Sequence, residues 1–272
     1  WGDSVPILFL PGGSGTGSYD IEPNFSATRN YANVTKLALS IDQVHRTTRE
    51  MRRAFHTARQ GRPGPVLVEM HGDVLRQEIP ENTPPYKPSR PMKYGPSVSD
   101  IKDAVAQLLA AKNPVIWAGQ GVLYAEAANQ LMELAELTQI PVITTMQAKS
   151  AFPDDHVLAL GSANRTAPKS VFRWLGAADT LFAIGSGLTR TTFGIDIPPG
   201  KFMIQANVAA EDINKDYDID IGLVGDAKLT LELMIDEVKS AIGDGGRETN
   251  AALVDSISKT RKEWLDEWAP LL

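Results

Sequence analysis

The sequence predicts an α/β chain with parallel sheets, organised as two domains of unequal size. Continuous aliphatic runs such as Pro114-Val-Ile-Trp-Ala118 and Thr180-Leu-Phe-Ala-Ile184 lack polar alternation and read as strands buried on both faces. Between such runs, apolar residues recur three and four apart, as in helices that cover a sheet. From Glu78 to Pro96 the pattern stops: six prolines, few aliphatics and charges of both signs make a stiff linker that runs over a surface. The boundaries that follow are 1–78, a linker at 79–96, 97–245, and a terminal helical segment at 246–272.

In the first domain, Trp1-Gly-Asp-Ser leads directly into Val5-Pro-Ile-Leu-Phe-Leu10, a buried-strand pattern with no initiator methionine and no covering helix before it. It reads as the interior of a longer polypeptide. Val34-Thr35-Lys36 is expected as the next strand by its resemblance to one in a known family, and a helix is expected from Ile41 to Gln60 with Val44, Thr48, Met51, Phe55 and Ala58 as its apolar stripe. Gly61-Arg-Pro-Gly-Pro65 stops that helix, because proline fixes φ and donates no hydrogen bond, and Val66 to Glu69 extends as a strand. In the second domain, Ser97 to Asp100 caps a helix through Leu109. Strands then alternate with helices: Pro114–Ala118, a helix over 125–138, Pro141–Thr145, a helix over 169–175, Thr180–Ile184, Phe202–Gln205, Ile221–Val224 and a helix over 228–242. That alternation predicts a doubly wound, Rossmann-like sheet. Asn250 to Trp268 is a polar helix with Trp264 and Trp268 four apart.

Composition excludes several functions. The 272 residues carry a net charge of −6, which argues against a dedicated nucleic-acid binder. Zero cysteines rule out a disulfide scaffold, thiol catalysis and cysteine-bound zinc, and fit a cytoplasmic setting. No apolar run is long enough to span a membrane. His45, His56 and His156 lack partners at metal-binding spacing and read as solvated, so no metal ligand is assigned.

In a doubly wound sheet, ligands sit beyond the carboxyl ends of the strands. Gly119-Gln-Gly121 follows one of them, as half of a dinucleotide fingerprint or as a plain strand-to-helix turn; Tyr124 occupies the third glycine position, which argues against a hydride carrier. Pro11-Gly-Gly-Ser-Gly-Thr-Gly17 lacks the lysine of a phosphate loop and reads as a flexible loop or a ligand contact. Gly243-Asp-Gly-Gly246 reads as a turn that ends a helix.

Gly61-Arg-Pro-Gly-Pro-Val-Leu-Val-Glu69, followed by Asp73, resembles the close of the pyrimidine-binding domain in thiamine-diphosphate enzymes of the acetolactate synthase type, with His71 where that family usually has proline. The segments Pro114 to Gly121, Ile140 to Met146, Phe152-Pro-Asp-Asp-His156, Ala178-Asp179 with Ile184-Gly-Ser186, and Val224-Gly-Asp226 resemble, in order, that family's central domain. The resemblance implies half a pyrimidine domain with a partial parallel sheet, then a complete central domain, from a parent that decarboxylates a 2-oxo acid or ligates the acyl fragment as a homodimer or homotetramer. It implies thiamine diphosphate and Mg2+ in the parent, with the activating glutamate and the metal site outside these residues, so that the chain alone lacks turnover.

Several family members hold FAD or ADP in the central domain. Carried over, that function points to Gly119, Gly121, Thr144, Thr145, Met146, Gly161, Gly185, Arg190, Asp212 and Asp226. Departures weigh against it: Gly187 stands where nucleotide-binding members have arginine, Gln205-Ala-Asn207 replaces a run with carboxylates, and Gly161-Ser-Ala-Asn164 replaces Gly-Met-His-Gly. A non-catalytic nucleotide-binding module and a structural oligomerisation domain stay open as alternatives. Of the family's Phe-Gln pair near the cofactor, Phe25 is followed here by Ser26, so the glutamine contact does not carry over.

Overall fold

The computed structural model describes residues 2–19, 21–90 and 92–271. Trp1, from which the predicted first strand was approached, and Pro91 of the predicted linker lie outside the described residues. The chain divides into two compact units, Trp1–Met92 and Lys93–Leu272.

The first unit is built on one strand. Its elements are β1 (Leu8–Phe9), β2 (Gly12–Gly13), α1 (Ala27–Tyr31), β3 (Leu37–Ile41), α2 (Thr47–Arg59) and β4 (Val66–His71). β4 pairs in parallel with β3 along one side and with β1 and then β2 along the other. β1 and β2 are successive pieces of one edge, interrupted at Leu10-Pro11 because proline cannot donate to the ladder. Ile41, Ala54, Ala58, Val66, Val68 and Val74 form the core.

Three expectations are corrected here. The predicted Val5–Leu10 strand contracts to Leu8–Phe9. The strand predicted at Val34-Thr35-Lys36 begins instead at Leu37, after a 3-10 turn over Ala32–Val34, and Lys36 closes its start by donating Nζ to the carbonyls of Gln60 at 2.6 Å and Arg62 at 2.8 Å. Ile41 does not open a helix: it pairs with Met70 as the last residue of β3, and α2 begins only at Thr47. Within α2, Ala54 and Ala58 are buried while Phe55 is exposed and meets Tyr86 at 5.8 Å between ring centroids.

The second unit is a six-stranded parallel sheet between two layers of helices. Its strands are β5 (Pro114–Ala118), β6 (Val142–Thr145), β7 (Ala159–Ala163), β8 (Thr180–Ile184), β9 (Phe202–Asn207) and β10 (Ile221–Val224), in the order β10-β9-β8-β5-β6-β7. Its helices are α3 (Val98–Ala110), α4 (Gly121–Tyr124), α5 (Ala128–Thr138), α6 (Lys169–Ala177), α7 (Ala227–Ile242) and α8 (Ala251–Trp268).

Alternate strand residues face opposite layers. Ile116, Ala118, Phe182, Ile184 and Ile204 join Ile101, Leu108, Leu131, Leu134 and Met234 of α3, α5 and α7. Val115, Trp117, Leu181, Ala183 and Met203 join Val171 and Leu175 of α6 and Ile257 of α8. The helix predicted over 125–138 begins only at Ala128, because Glu126 at φ 56° separates it from the preceding turn of α4. β7 was not predicted, because Ala159-Leu-Gly-Ser-Ala163 has no β-branched residue to announce an edge strand.

The chain leaves β5 toward β6 and β7, then returns beside β5 as β8 and continues to β9 and β10. The order therefore reverses between β5 and β8, and at that point the two loops touch through backbone. Gly119 N–H donates to the Ile184 carbonyl at 2.8 Å and Gly121 N–H to the Gly185 carbonyl at 2.9 Å. A Cβ on Gly119 would lie 2.3 Å from the Gly185 oxygen, and Gly185 itself has φ +64° with Gly121 and Val122 backbone atoms within 2.9 Å of where a Cβ would stand.

Gly185→Ala is expected to destabilise the chain by about 3 kcal/mol, combining a left-handed backbone with an overpacked contact. Gly176→Ala in α6 has nothing within 4 Å and is the control; removing a helical glycine there should gain about 0.5 to 1 kcal/mol. Denaturant midpoints of the two variants test this, and equal midpoints would show that the loops can separate at no cost.

Candidate functional site

The residues singled out by sequence fall along the carboxyl edge of the second sheet. Gly119 and Gly121 follow β5, Thr144 and Thr145 end β6, Met146 follows, Gly185 and Arg190 follow β8, Asp212 lies in the 3-10 turn after β9, and Asp226 follows β10. Gly161 is the exception, inside β7 where the pairing to β6 slips between Val142 and Ile143. Its φ of +105° and the Pro168 ring, 2.8 Å from a would-be Cβ, give that glycine a packing reason.

The polar groups at this edge are spent on the protein itself. Thr144 Oγ1 shares a hydrogen bond with Ser162 Oγ at 2.9 Å. Met146 is exposed, and its sulfur accepts from Asn164 Nδ2 at 3.0 Å. Asp226 accepts from the N–H groups of Lys228 and Leu229 at 3.1 and 3.2 Å, capping α7, and faces Lys93 Nζ at 3.5 Å. Asp212 is buried and paired with Lys215 Nζ at 2.8 Å.

Between β8 and β9 the side chain of Gln205 is a cross-link. Its Nε2 donates to the carbonyls of Ser186 and Asp212 at 3.1 and 3.0 Å, and its Oε1 accepts from the Asn214 N–H at 3.2 Å. Asn207 Oδ1 accepts from the Ala209 N–H at 3.0 Å.

The loop after β8 is strapped by the segment after β9. Lys215 Nζ reaches Thr189 Oγ1 at 2.9 Å, Asp216 accepts the Arg190 N–H at 2.9 Å, and the Arg190 guanidinium stacks 4.6 Å above the Tyr217 ring. The Tyr217 hydroxyl accepts the Ile197 N–H at 3.2 Å. Phe193, at the loop tip, stands 81% exposed.

In the first unit, the sequence reading missed a second cluster. The glycine-rich loop is pinned, which corrects its reading as a flexible segment: Gly12 and Gly13 pair with Met70 and His71 as β2. Thr16 donates its N–H to both carboxylate oxygens of Asp73 at 3.1 Å and its hydroxyl to Oδ2 at 2.6 Å. The buried ring of His71 sits between the Ser14 carbonyl, which can only accept, and Ser40 Oγ. In the neutral ring, Nδ1–H thus donates to Ser14 and Nε2 accepts the Ser40 hydroxyl at 2.6 Å. Buried Glu69 accepts from the N–H groups of Ala27 and Thr28 at 3.2 Å, at the start of α1. The available signal was a charged residue in the middle of Val66-Leu-Val-Glu-Met70, since a buried carboxylate demands donors.

His156 is also corrected. It is not simply solvated: Nδ1 accepts the Leu158 N–H at 3.1 Å, Nε2 lies 3.2 Å from Glu136 Oε1, and the ring meets Phe152 at 4.8 Å. Gly243 to Gly246 forms the turn that ends α7. Among the described residues, no group of three or more His, Asp or Glu is placed to hold a metal ion.

Residues 101–234 match the family described as thiamine pyrophosphate enzyme, central domain. Glyoxylate carboligase of Escherichia coli O157:H7 is 34% identical over 269 residues, which are 97% of this chain and 43% of that protein. An acetolactate synthase of Mycobacterium bovis is 34% identical over 246 residues, covering 86% of this chain and 39% of its own length. The chain thus spans less than half of these relatives. The crystal structure of benzoylformate decarboxylase from Polynucleobacter necessarius superposes with a TM-score of 0.77 at 24% identity, over 91% of this chain and 46% of that one, and so shares the fold.

Hydrogen bonds from the Thr16 hydroxyl and then the Thr16 N–H hold the Asp73 carboxyl below its ordinary range. A depressed folded pKa stabilises above the ordinary aspartate range, and that contribution is lost as pH falls through the lowered value. Thr16→Val removes the hydroxyl, so wild type should melt above the variant at neutral pH and the two curves should converge on acidification. A gap that stays constant down to the acid end would exclude Asp73 as its source.

Proposed function

The chain belongs to the thiamine pyrophosphate enzyme family, and from that premise we propose that it forms the middle part of an enzyme that decarboxylates a 2-oxo acid and transfers or releases the acyl fragment. The observation that carries this reading is the continuity of the match: the similarity to glyoxylate carboligase runs through 97% of the chain and so through both units. The parent would work with thiamine diphosphate and Mg2+, as a homodimer or homotetramer in the cytoplasm. A purely structural module of the same fold is not favoured, because the relatives that match over both units bear the names of enzymes.

Thiamine diphosphate, when bound, supplies the electron sink for decarboxylation. On this reading the chain borders its ring with the pinned loop Gly12 to Gly17, whose Gly12 and Gly17 have open space where a Cβ would stand, and with the exposed ring of Phe25. Asp73, His71 and β2 hold that loop in position, so their work is orientation and the exclusion of alternative loop conformations. The proton-transfer group and the diphosphate and metal ligands belong, on this reading, to other parts of the parent.

The residues of the second unit do not fit FAD or ADP. A pyrophosphate needs a free glycine turn at the start of a long helix. Here the N–H of Gly121 is spent on Gly185, and α4 is a single turn of four residues. A ribose needs a free carboxylate after the neighbouring strand. The strands beside β5 end in Thr145 and Ile184, and at β9, one strand further, Asn207 has its oxygen engaged and Asp212 is paired with Lys215. We therefore read the nine candidate residues at the sheet edge, with Gly161 inside β7, as the framework of the sheet.

Two experiments test the reading. Replacing the matching segment of the Escherichia coli glyoxylate carboligase by this chain should preserve carbon dioxide release from glyoxylate or pyruvate that depends on added thiamine diphosphate. A folded chimera inactive on both acids would overturn the assignment. Second, melting this chain with FAD or ADP should leave the midpoint unchanged. A ligand at ~100 times its dissociation constant contributes about 2.7 kcal/mol, so a rise of roughly 5 °C or more would restore the nucleotide.

A further inference from the structure

Residues 43–62 hold six arginines, at 46, 49, 52, 53, 59 and 62, against one acid, Glu50, in a chain of net charge −6. Glu50 lies on α2 with its side chain only 4% exposed. Its Oε1 accepts from Arg46 Nη2 at 3.3 Å, from Arg49 Nε at 3.0 Å and from Arg49 Nη2 at 2.7 Å, and its Oε2 faces Arg53 Nη1 at 3.5 Å. Burial works to raise the pKa of this carboxyl, but hydrogen bonding and charge from Arg49, then Arg46 and Arg53, outweigh it and hold the group ionised below its ordinary range. The glutamate thus acts as a fixed anchor for the guanidinium groups around it.

Beside that anchor is an open cleft of about 350 Å³ lined by Gln43, His45, Arg46 and Arg49. Among the described residues no carboxylate lines it; Asp42, beside Gln43 in the chain, accepts from Arg46 Nη1 at 2.8 Å. Arg49 spends Nε and Nη2 on Glu50, which leaves Nη1 as a donor for the cleft. α2 begins here with no side chain capping its first turn. Arg52, Arg53 and Arg59 extend the positive field along the exposed side of the same helix.

We propose that the cleft of Gln43, His45, Arg46 and Arg49 is a binding site for a phosphate-type dianion, either free phosphate or the phosphoryl end of a small metabolite. Two guanidinium groups held beside one cleft by a buried carboxylate keep their remaining N–H donors for phosphoryl oxygens and lose little freedom on binding. Gln43 and His45 line the same cleft and add side-chain donors. The site lies wholly within the first unit and stands independently of the thiamine reading.

Calorimetric titration of this chain with sodium phosphate, pyrophosphate and glycerol 3-phosphate, at constant ionic strength set with potassium chloride, tests it. Saturable binding of at least one anion is expected. Arg49→Lys keeps the charge but loses the fork, and should weaken binding by about tenfold or more. A double variant, Gln43→Ala with His45→Ala, touches neither Glu50 nor the core and should weaken binding with an unchanged melting temperature. Tighter glycerol 3-phosphate than phosphate would identify a metabolite as the source, and the reverse would identify free phosphate; both support the site. No saturable binding, or binding that both variants leave intact, overturns it.

Discussion

The second unit depends on the contact of two bare backbones. A parallel sheet whose strand order reverses leaves two neighbouring strands whose following loops diverge, and the gap must either be filled by a ligand or closed by the chain. Here Gly119, Gly121 and Gly185 close it. With no Cβ on any of the three, the loop after β5 and the loop after β8 approach to hydrogen-bonding distance, and Gly185 adopts a left-handed conformation that other residues rarely tolerate. β5 and β8 are the central pair of the sheet, so both hydrophobic layers are organised around a seam that only glycine permits.

The same economy governs the polar side chains. Gln205, Asp212, Asn207 and Asp226 look like recognition groups when read as letters, yet each has its donors or acceptors committed to backbone or to lysine. Leaving such groups buried and unpaired would cost roughly 1 to 3 kcal/mol each. The first unit follows the same rule with Glu69, His71 and Asp73, which lie along or just beyond the central strand and tie down α1 and the glycine-rich loop. Glu50 differs in kind. Its surplus of arginine partners exceeds what one carboxylate can neutralise, and the excess faces solvent.

Legibility followed burial. β5 and β8 were read to the residue from aliphatic runs alone, because a strand covered on both faces admits few other residue types. Ile41 was misread, since an isoleucine between polar neighbours suits a helix stripe as well as a strand end, and only pairing with Met70 settles it. Phe55 fell on the predicted apolar stripe of α2 but is exposed beside Tyr86, while the small Ala54 and Ala58 pack into the core. Among the candidate site residues, position along the carboxyl edge was legible, whereas the commitment of their polar atoms was not.

By itself the sequence determined most of the alternation of strands and helices in the second unit and the family, since hydrophobic period, turn chemistry and motif order are local properties of the chain. Only the tertiary structure decided what the polar residues do. Whether Gln205 ties the loop after β8 to the turn after β9, or Asp73 pins the glycine-rich loop, depends on partners distant in sequence, and hydrogen bonds between such groups leave no periodic trace in the order of residues.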